Sequence, residues 1–541
     1  MVPKLCGQDI ELGNFIVGAG DRAATCEEAS HALLRAVEGY PARSAAAPAR
    51  ARICSCGRGA IVSGPSIDPQ DRGRKWLENG SCCYIDLNHL EIATAETTSA
   101  FDQVACTHAM LRIAQRALAA ANADQPPGRT ITALVNNSDR AGNSYGSHAN
   151  FLVTRALWDR IFYTRLHDLL YLASFQASGL VFTGQGKVGA ENGSPDVAYQ
   201  LSQRADFFET MTGPQTTTRR PIVNSRDEPL CGMRRAAASE AAGAMARLHV
   251  IFFDATLCHV STLLKLGTMQ IVLAMMEQDR VKRSLILDDP LGAVHAWSRD
   301  PTLLARAELA DGRRLTAVDL QSAFLDEARR FVESGACDGL VPRAPEIIAL
   351  WDRVLSALRA GRADELEGQL DWVLKRSLLR RAMARNPALS WASPQIRHLD
   401  LIYASLAPDD GLFWACDQEG LVENVVANER IDELMRVPPE DTRAWTRGTL
   451  LRHAGAGGVD DAGWDWVRVR TTGRSGWRDP ATIRFPDPLS CTRAETEGAF
   501  EGAPDLDTVI RRLTELMPEP PPPGWRTDLV PYAAIAGQAA R

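Results

Sequence analysis

No uninterrupted apolar run in this sequence approaches 18 residues, so no membrane span is expected. The opening Met1-Val-Pro-Lys4 lacks the charged-then-apolar pattern of a signal peptide. Excess positive charge is also missing: the net charge is −7 and the isoelectric point near 5.9, which offers no basic field to a nucleic acid. The 12 cysteines include Cys54-Ser-Cys56 and the adjacent Cys82-Cys83 but no paired CxxC. Free thiols are therefore expected, rather than a zinc site or a disulfide framework. Together these absences point to the cytoplasm. Familiar catalytic signatures are absent too. There is no GxxxxGK[ST] loop, and Gly184-Gln-Gly186 lacks the third glycine of a dinucleotide fingerprint. No HExxH helix occurs, and no repeat of solenoid period is visible.

What is present is an ordinary globular composition, 45% apolar and 23% charged. At 541 residues the chain has room for one large domain and a smaller one, or for three modest ones. Residues 5–18 read as a strand and 25–38 as an amphipathic helix, followed by an irregular stretch over 41–75 rich in Arg, Ala, Ser, Gly and Pro. The sheet resumes at 80–93, and a helix is expected over 101–122. A polar, Gly-interrupted loop occupies 130–155, with a long helix over 156–178 after it. Strands are expected near 197–203, 220–224 and 247–254. Helical periodicity dominates 261–390, notably 320–336, 345–359 and 362–384. Shorter elements follow Pro394, and a Pro-rich tail begins at 518.

Five clusters could carry chemistry. In Tyr84-Ile-Asp86-Leu-Asn-His89-Leu-Glu91, polar residues alternate with apolar ones, as on a strand that lines a cavity. Asp9 and Glu11 stand at i and i+2 on the opening strand, so two hard oxygen donors share a face, which suits Mg²⁺. The segment Asn136 to Asn150 is built of small and amide residues and carries His148, either a ligand or base or a satisfied structural histidine. Arg204, with Arg219, Arg220 and Arg226, could clamp a polyphosphate or form surface ion pairs. His249, between Leu248 and Val250, is either a buried structural histidine or an imidazole that reaches a metal.

In this order the clusters resemble the family of Pup ligase and depupylase (Pup deamidase), over about residues 5 to 485. Asn136 to Asn150 is close to the family's N-N-T-D-x-x-G-x-S-Y-G-x-H-E-N. Ser202 to Glu209, Arg220 to Pro229, Leu248 to Ile251, Thr262 to Gly267, Asp371 to Lys375, Asp400 to Tyr403 and Thr442 to Ala444 continue the match. The resemblance implies an α+β, glutamine-synthetase-like (carboxylate-amine ligase) fold, with a curved antiparallel sheet and flanking helices. It divides the chain into a catalytic domain over 1–395, a small C-terminal domain over 396–500, and a helix and tail over 501–541.

By position, the resemblance makes Asp86 the catalytic aspartate. Asp9, Glu11, Glu91 and His249 become metal-side residues, with Tyr84 and His148 nearby, and Arg204, Arg226 and Arg443 face the phosphates of ATP. The implied cofactors are ATP and Mg²⁺, and the implied partner is Pup, or a Pup-like tail, with its conjugates. Three features lean toward the depupylase branch: the five-residue step from Asp86 to Glu91 (D-x-x-H-x-E), the Arg204–Glu209 sequence, and the 41–75 insertion. The implied activity is cleavage of an isopeptide or side-chain amide at a C-terminal Glu or Gln. An ATP-consuming ligase that works through an acyl phosphate is the alternative, and a non-catalytic binding homologue a third. The chain departs from the family pattern at Asp9 (Glu in the family), Ala149 (Glu) and Leu230 (His), and in a longer connection to His249.

Overall fold

The computed structural model describes residues 1–20, 22–41, 73–228, 245–470 and 480–517. The irregular stretch over 42–72, the connection through Leu230 to 244, and the Pro-rich tail from 518 lie outside these residues.

The opening strand Cys6–Val17 organises the molecule because it changes partners midway. Residues Asp9–Leu12 pair with His89–Ala93 on one edge, and on the opposite edge residues Gly13–Val17 pair with Thr130–Leu134. On that same opposite edge Cys6–Ile10 pairs with Ser147–Thr154, which in turn pairs with Met245–Val250. The hairpin Cys82–Asp86/His89–Ala93 and the short strands Lys75–Trp76 and Tyr40–Pro41 complete an eight-stranded, wholly antiparallel sheet.

Alternation along the opening strand sorts its two faces. Ile10, Leu12 and Ile16 pack with Leu90 and Ile92 into a core beneath the helices Arg22–Ala36 and Ala100–Ala123. The second large core gathers Phe151, Val153 and Leu248 with the helices Leu166–Thr183, His259–Glu277, Ala317–Glu333 and Ala344–Arg359. The His259–Glu277 helix is long and apolar enough to cross a membrane by length and composition, yet its apolar window is wholly buried in this core. That burial explains an all-round apolar helix without a bilayer.

Several elements differ from the expected ones. The stretch from Tyr84 to Glu91 is not one strand but a hairpin, turned by Leu87 (φ 44°) and Asn88 (φ 71°). Paired positive φ is what a tight two-residue turn demands. The expected 130–155 loop contains two sheet strands, since Thr130 to Thr132 and Phe151 to Thr154 supply β-branched and aromatic residues on both sides of a shorter loop. The 156–178 helix breaks near Arg165, after a π-helical turn at Arg160–Thr164. Only Tyr199–Gln200 of the 197–203 stretch is strand.

A third core joins Leu450, Val467, Val469, Phe485, Phe500, Val509 and Leu513 with Trp76 and Cys82. It is built on the three-stranded sheet Val459–Gly463, Trp466–Arg470 and Pro480–Arg484 and on the helices Arg493–Phe500 and Leu506–Leu516. Residues such as Tyr403, Phe413 and Trp414 contribute instead to the core beneath the large sheet. The separate core thus begins near Leu450, later than the expected boundary at 396.

Candidate active site

Register brings the sequence-predicted acids together. Glu11 pairs with Glu91, which pairs on its other side with Tyr84, while Asp9 pairs with His148 and Asp86 with His89. The face opposite Ile10 and Leu12 therefore carries Asp9, Glu11 and Glu91 in one patch, and the hairpin tip adds Asp86. Ligand atoms of Asp9, Glu91 and His148 lie within 4.8 Å of one another, and so do those of Glu11, Asp86 and Glu91. Glu91 belongs to both groups.

Each acid is held by a specific partner. The Tyr84 hydroxyl donates to Glu91 Oε1 at 2.6 Å, Asn150 Nδ2 donates to Asp9 Oδ2 at 2.8 Å, and the Gly146 N–H donates to Glu11 Oε2 at 2.8 Å. Gly146 sits at φ 128°, and a Cβ there would lie 2.3 Å from Asn137 Oδ1, so only glycine brings its amide to Glu11. Burial pushes Asp9, Glu11 and Glu91 above the usual carboxylate range, Glu91 well above it because Asp9, Glu11 and Asp86 add their charge. Asp86 is raised by burial and then by Glu11. A divalent cation among these oxygens would reverse the direction. Oxygen-rich ligation with one imidazole fits a hard cation such as Mg²⁺ or Mn²⁺.

His249 joins neither group. Its ring lies 5.0 Å from that of His148, nearly perpendicular, and its Nδ1 is buried without a hydrogen-bond partner among the described residues. Burial, then nearby positive charge, pulls both imidazoles well below their usual pKa, so both are neutral near pH 7.

The arginines divide into two kinds. Arg204 is fully buried and donates to the carbonyls of Ser147 and Phe253, yet its Nε and Nη2 have no partner among the described residues. Arg220 Nη1 is likewise unpartnered among the described residues. Such donors are costly to bury unless an anion uses them. Arg226 is half-exposed and pairs with Glu228 at 2.9 Å. Arg443, expected at the phosphates, binds Glu96 at 2.8 Å and the carbonyls of Phe485 and Pro486. It still lines a cleft with Asp9, Asn150, Glu96, Arg247 and Trp464.

Two further residues belong to the site. Arg247 donates to Asn150 Oδ1 at 2.7 Å and so supports the amide that holds Asp9. Its i, i+2 spacing from His249 places the two on one face of a strand, a signal legible in sequence. Arg74 stacks over the Tyr84 ring at 4.2 Å from the end of the irregular stretch, where no periodicity marks it.

The family model described as Pup-ligase protein matches residues 7–470. This chain belongs to the Pup-ligase family. It is 36% identical over 439 residues to the depupylase of Acidothermus cellulolyticus (81% of this chain, 83% of that protein). To a Pup deamidase/depupylase of Mycolicibacterium smegmatis it is 35% identical over 455 residues, covering 83% and 86%. To a Pup–protein ligase of Kribbella flavida it is 32% identical over 472 residues, covering 86% and 93%. Among solved structures, the complex between Pup and its ligase PafA superposes with TM-score 0.73 at 26% identity, covering 95% of this chain and 93% of that one. The Pup ligase PafA in complex with ADP gives 0.67 at 27%, covering 86% and 98%. The fold is that of the Pup ligase PafA, mixed helix and sheet, as the sequence led us to expect. Family members are enzymes of both kinds, hydrolase and ligase.

Proposed function

We propose that this chain is an ATP- and Mg²⁺-dependent amidohydrolase that cleaves an isopeptide or side-chain amide at the C-terminal Glu or Gln of Pup or a Pup-like tail. The observation that carries the proposal is the shared carboxylate: Glu91 stands in two ligand groups, and Asp86 enters one of them from the hairpin tip. Relatives named depupylase or Pup deamidase, and a solved relative bound to ADP, support the substrate and the nucleotide. The five-residue step from Asp86 to Glu91 matches the depupylase pattern.

Asp9, Glu11, Glu91 and His148 would hold the metal, and Arg204, Arg220 and Arg226 would meet the phosphates. Bound there, Mg²⁺ would supply the positive charge that polarises the scissile carbonyl. Asp86 attacks that carbonyl or takes a proton from water, and the amide C–N bond breaks as the leaving nitrogen gains a proton. Net, one water is consumed and an acid and an amine, or ammonia, are released. Tyr84 keeps its proton, because burial and then Glu91 raise its pKa, and so remains a donor that fixes Glu91.

A carboxylate–amine ligase is the second reading, favoured by the superposition on a Pup ligase across nearly the whole chain. One experiment separates the two. The protein is incubated with ATP, Mg²⁺ and either a Gln-terminated tail or a Glu-terminated tail plus a lysine-bearing protein, and the products are weighed. Release of ammonia without matched ADP supports the hydrolase; a conjugate with matched ADP overturns it in favour of the ligase.

A further inference from the structure

The hairpin that carries Asp86 and Glu91 has a structural problem at its tip. The opening strand accompanies it only as far as the Leu12–Leu90 pair. Backbone groups beyond Leu90 thereby lose their neighbour strand, and a buried, unpaired amide is costly. The turn itself is demanding. Leu87 stands at φ 44°, a region that residues with a branched side chain rarely occupy, and it has neither the freedom of glycine nor the local hydrogen bonding of asparagine. A loosely held turn of this kind would let Asp86 wander.

One buried side chain fills the gap. Asn14 Oδ1 accepts the Leu90 N–H at 3.0 Å, and Asn14 Nδ2 donates to the Asn88 carbonyl at 3.0 Å. The same nitrogen donates to the Cys26 carbonyl in the first helix at 2.8 Å. The amide thus continues the interrupted ladder, with one donor and one acceptor in place of a backbone unit. It ties the hairpin tip to both the strand that bears Asp9 and Glu11 and the helix behind it. We propose that Asn14 is a positioning residue for the reaction: its amide clamps the strained Leu87–Asn88 turn and so aims Asp86 at the substrate and Glu91 at its ligand groups. This rests on the proposed role of Asp86.

The test compares the full-length protein with Asn14→Ala, Leu87→Asn and the double variant. Hydrogen exchange across residues 84–91 is measured together with kcat, KM for a Gln-terminated tail, ADP affinity and melting temperature. In Asn14→Ala, exchange over 84–91 rises at least about tenfold while the Ser147–Thr154 strand keeps its protection. Turnover falls about 10- to 100-fold, with KM and ADP affinity within about twofold. Leu87→Asn relieves the turn, because asparagine tolerates positive φ. Alone it leaves kcat within about threefold, and in the double variant it restores most of the lost kcat. If Asn14→Ala does not fold, Asn14→Asp carries the same test, since it keeps the acceptor for Leu90 and loses both donors.

Unchanged exchange at the hairpin, or a double variant as slow as Asn14→Ala, overturns the clamp. So does a loss of kcat that tracks general melting. If the wild-type chain shows neither cleavage nor ligation, the proposed function fails, and the exchange measurement still decides whether Asn14 holds the turn.

Discussion

Glu91 and Glu96 are two buried glutamates close in sequence, and they are shifted in opposite directions. Burial works against ionisation at both. At Glu96 the charges of Arg447 and Arg443 overcome it and hold the carboxyl down at about 2. At Glu91 the neighbours are Asp9, Glu11 and Asp86, which push the group further up. Glu96 binds Arg447 at 2.5 Å and Arg443 at 2.8 Å, joining the large sheet to residues that lead into the third core. A buried acid matched by arginines is a joint, whereas a buried acid among acids is a place for something else to bind.

The largest effect that bears on this contrast is at Asp86. Asp86→Asn keeps the shape and removes the charge, so turnover should fall about 10²- to 10⁴-fold while ADP affinity is retained. Activity that survives would remove Asp86 from the chemistry. At the joint, Glu96→Gln leaves Arg443 and Arg447 buried without their anion and should destabilise the protein by about 3–5 kcal/mol. The shift of the urea midpoint at constant slope reads that loss. At the site, Glu91→Gln should leave stability unchanged or raised, because a repelled charge is gone. It should raise the Mg²⁺ requirement at least about 100-fold, since even outer-sphere partners cost 10–100-fold. If the two variants exchanged phenotypes, the assignment of joint and site would be inverted.

Much of this contrast was legible in the sequence. Alternation identified Asp9 and Glu11 as one face, and the polar spacing of Tyr84, Asp86, His89 and Glu91 marked the second contributor. The hairpin was not legible. Leu87-Asn88 lacks the glycine that announces a tight turn, and its positive φ is sustained by Asn14, which lies far away in sequence. Arg443 was expected at the phosphates because it is an arginine in a matching motif. Its tie to Glu96 depends on a contact across hundreds of residues that local pattern does not encode. Arg247 could have been found from its spacing to His249, whereas Arg74 sits in a stretch without period.

The same contrast gives opposite pH responses. Glu96 has a folded pKa of about 2 against an ordinary 4.5, so its contribution to stability is complete above 4.5 and is lost as pH falls toward 2. Glu91 is raised, so its penalty is absent below 4.5 and grows as pH rises toward its folded value. Thermal melts should therefore show an acid limb that is flattened in Glu96→Gln. Added Mg²⁺ should raise the melting temperature more at about pH 8 than at about pH 5, because binding must displace protons from the raised carboxyls. An equal shift at both pH values would mean that the cation does not bind at these acids.

The smallest expected effect tests the finest part of the site. Tyr84→Phe removes one hydroxyl, the donor at 2.6 Å from Glu91 Oε1, and leaves the ring under Arg74. A hydrogen bond to a charged group contributes about 1.5–3 kcal/mol, but here a bound cation would share the stabilisation of Glu91. In the presence of saturating Mg²⁺ the loss should be no more than about tenfold in kcat. At limiting Mg²⁺ the deficit should widen, because Glu91 is then held by fewer partners and adopts its ligating position less often. Glu96 offers the control, since its carboxylate is held by Arg443 and Arg447 and not by the Tyr84 hydroxyl, which donates to Glu91. A Tyr84→Phe variant whose deficit is independent of Mg²⁺ would show that the phenol acts on substrate or on Asp86 directly, not by orienting Glu91.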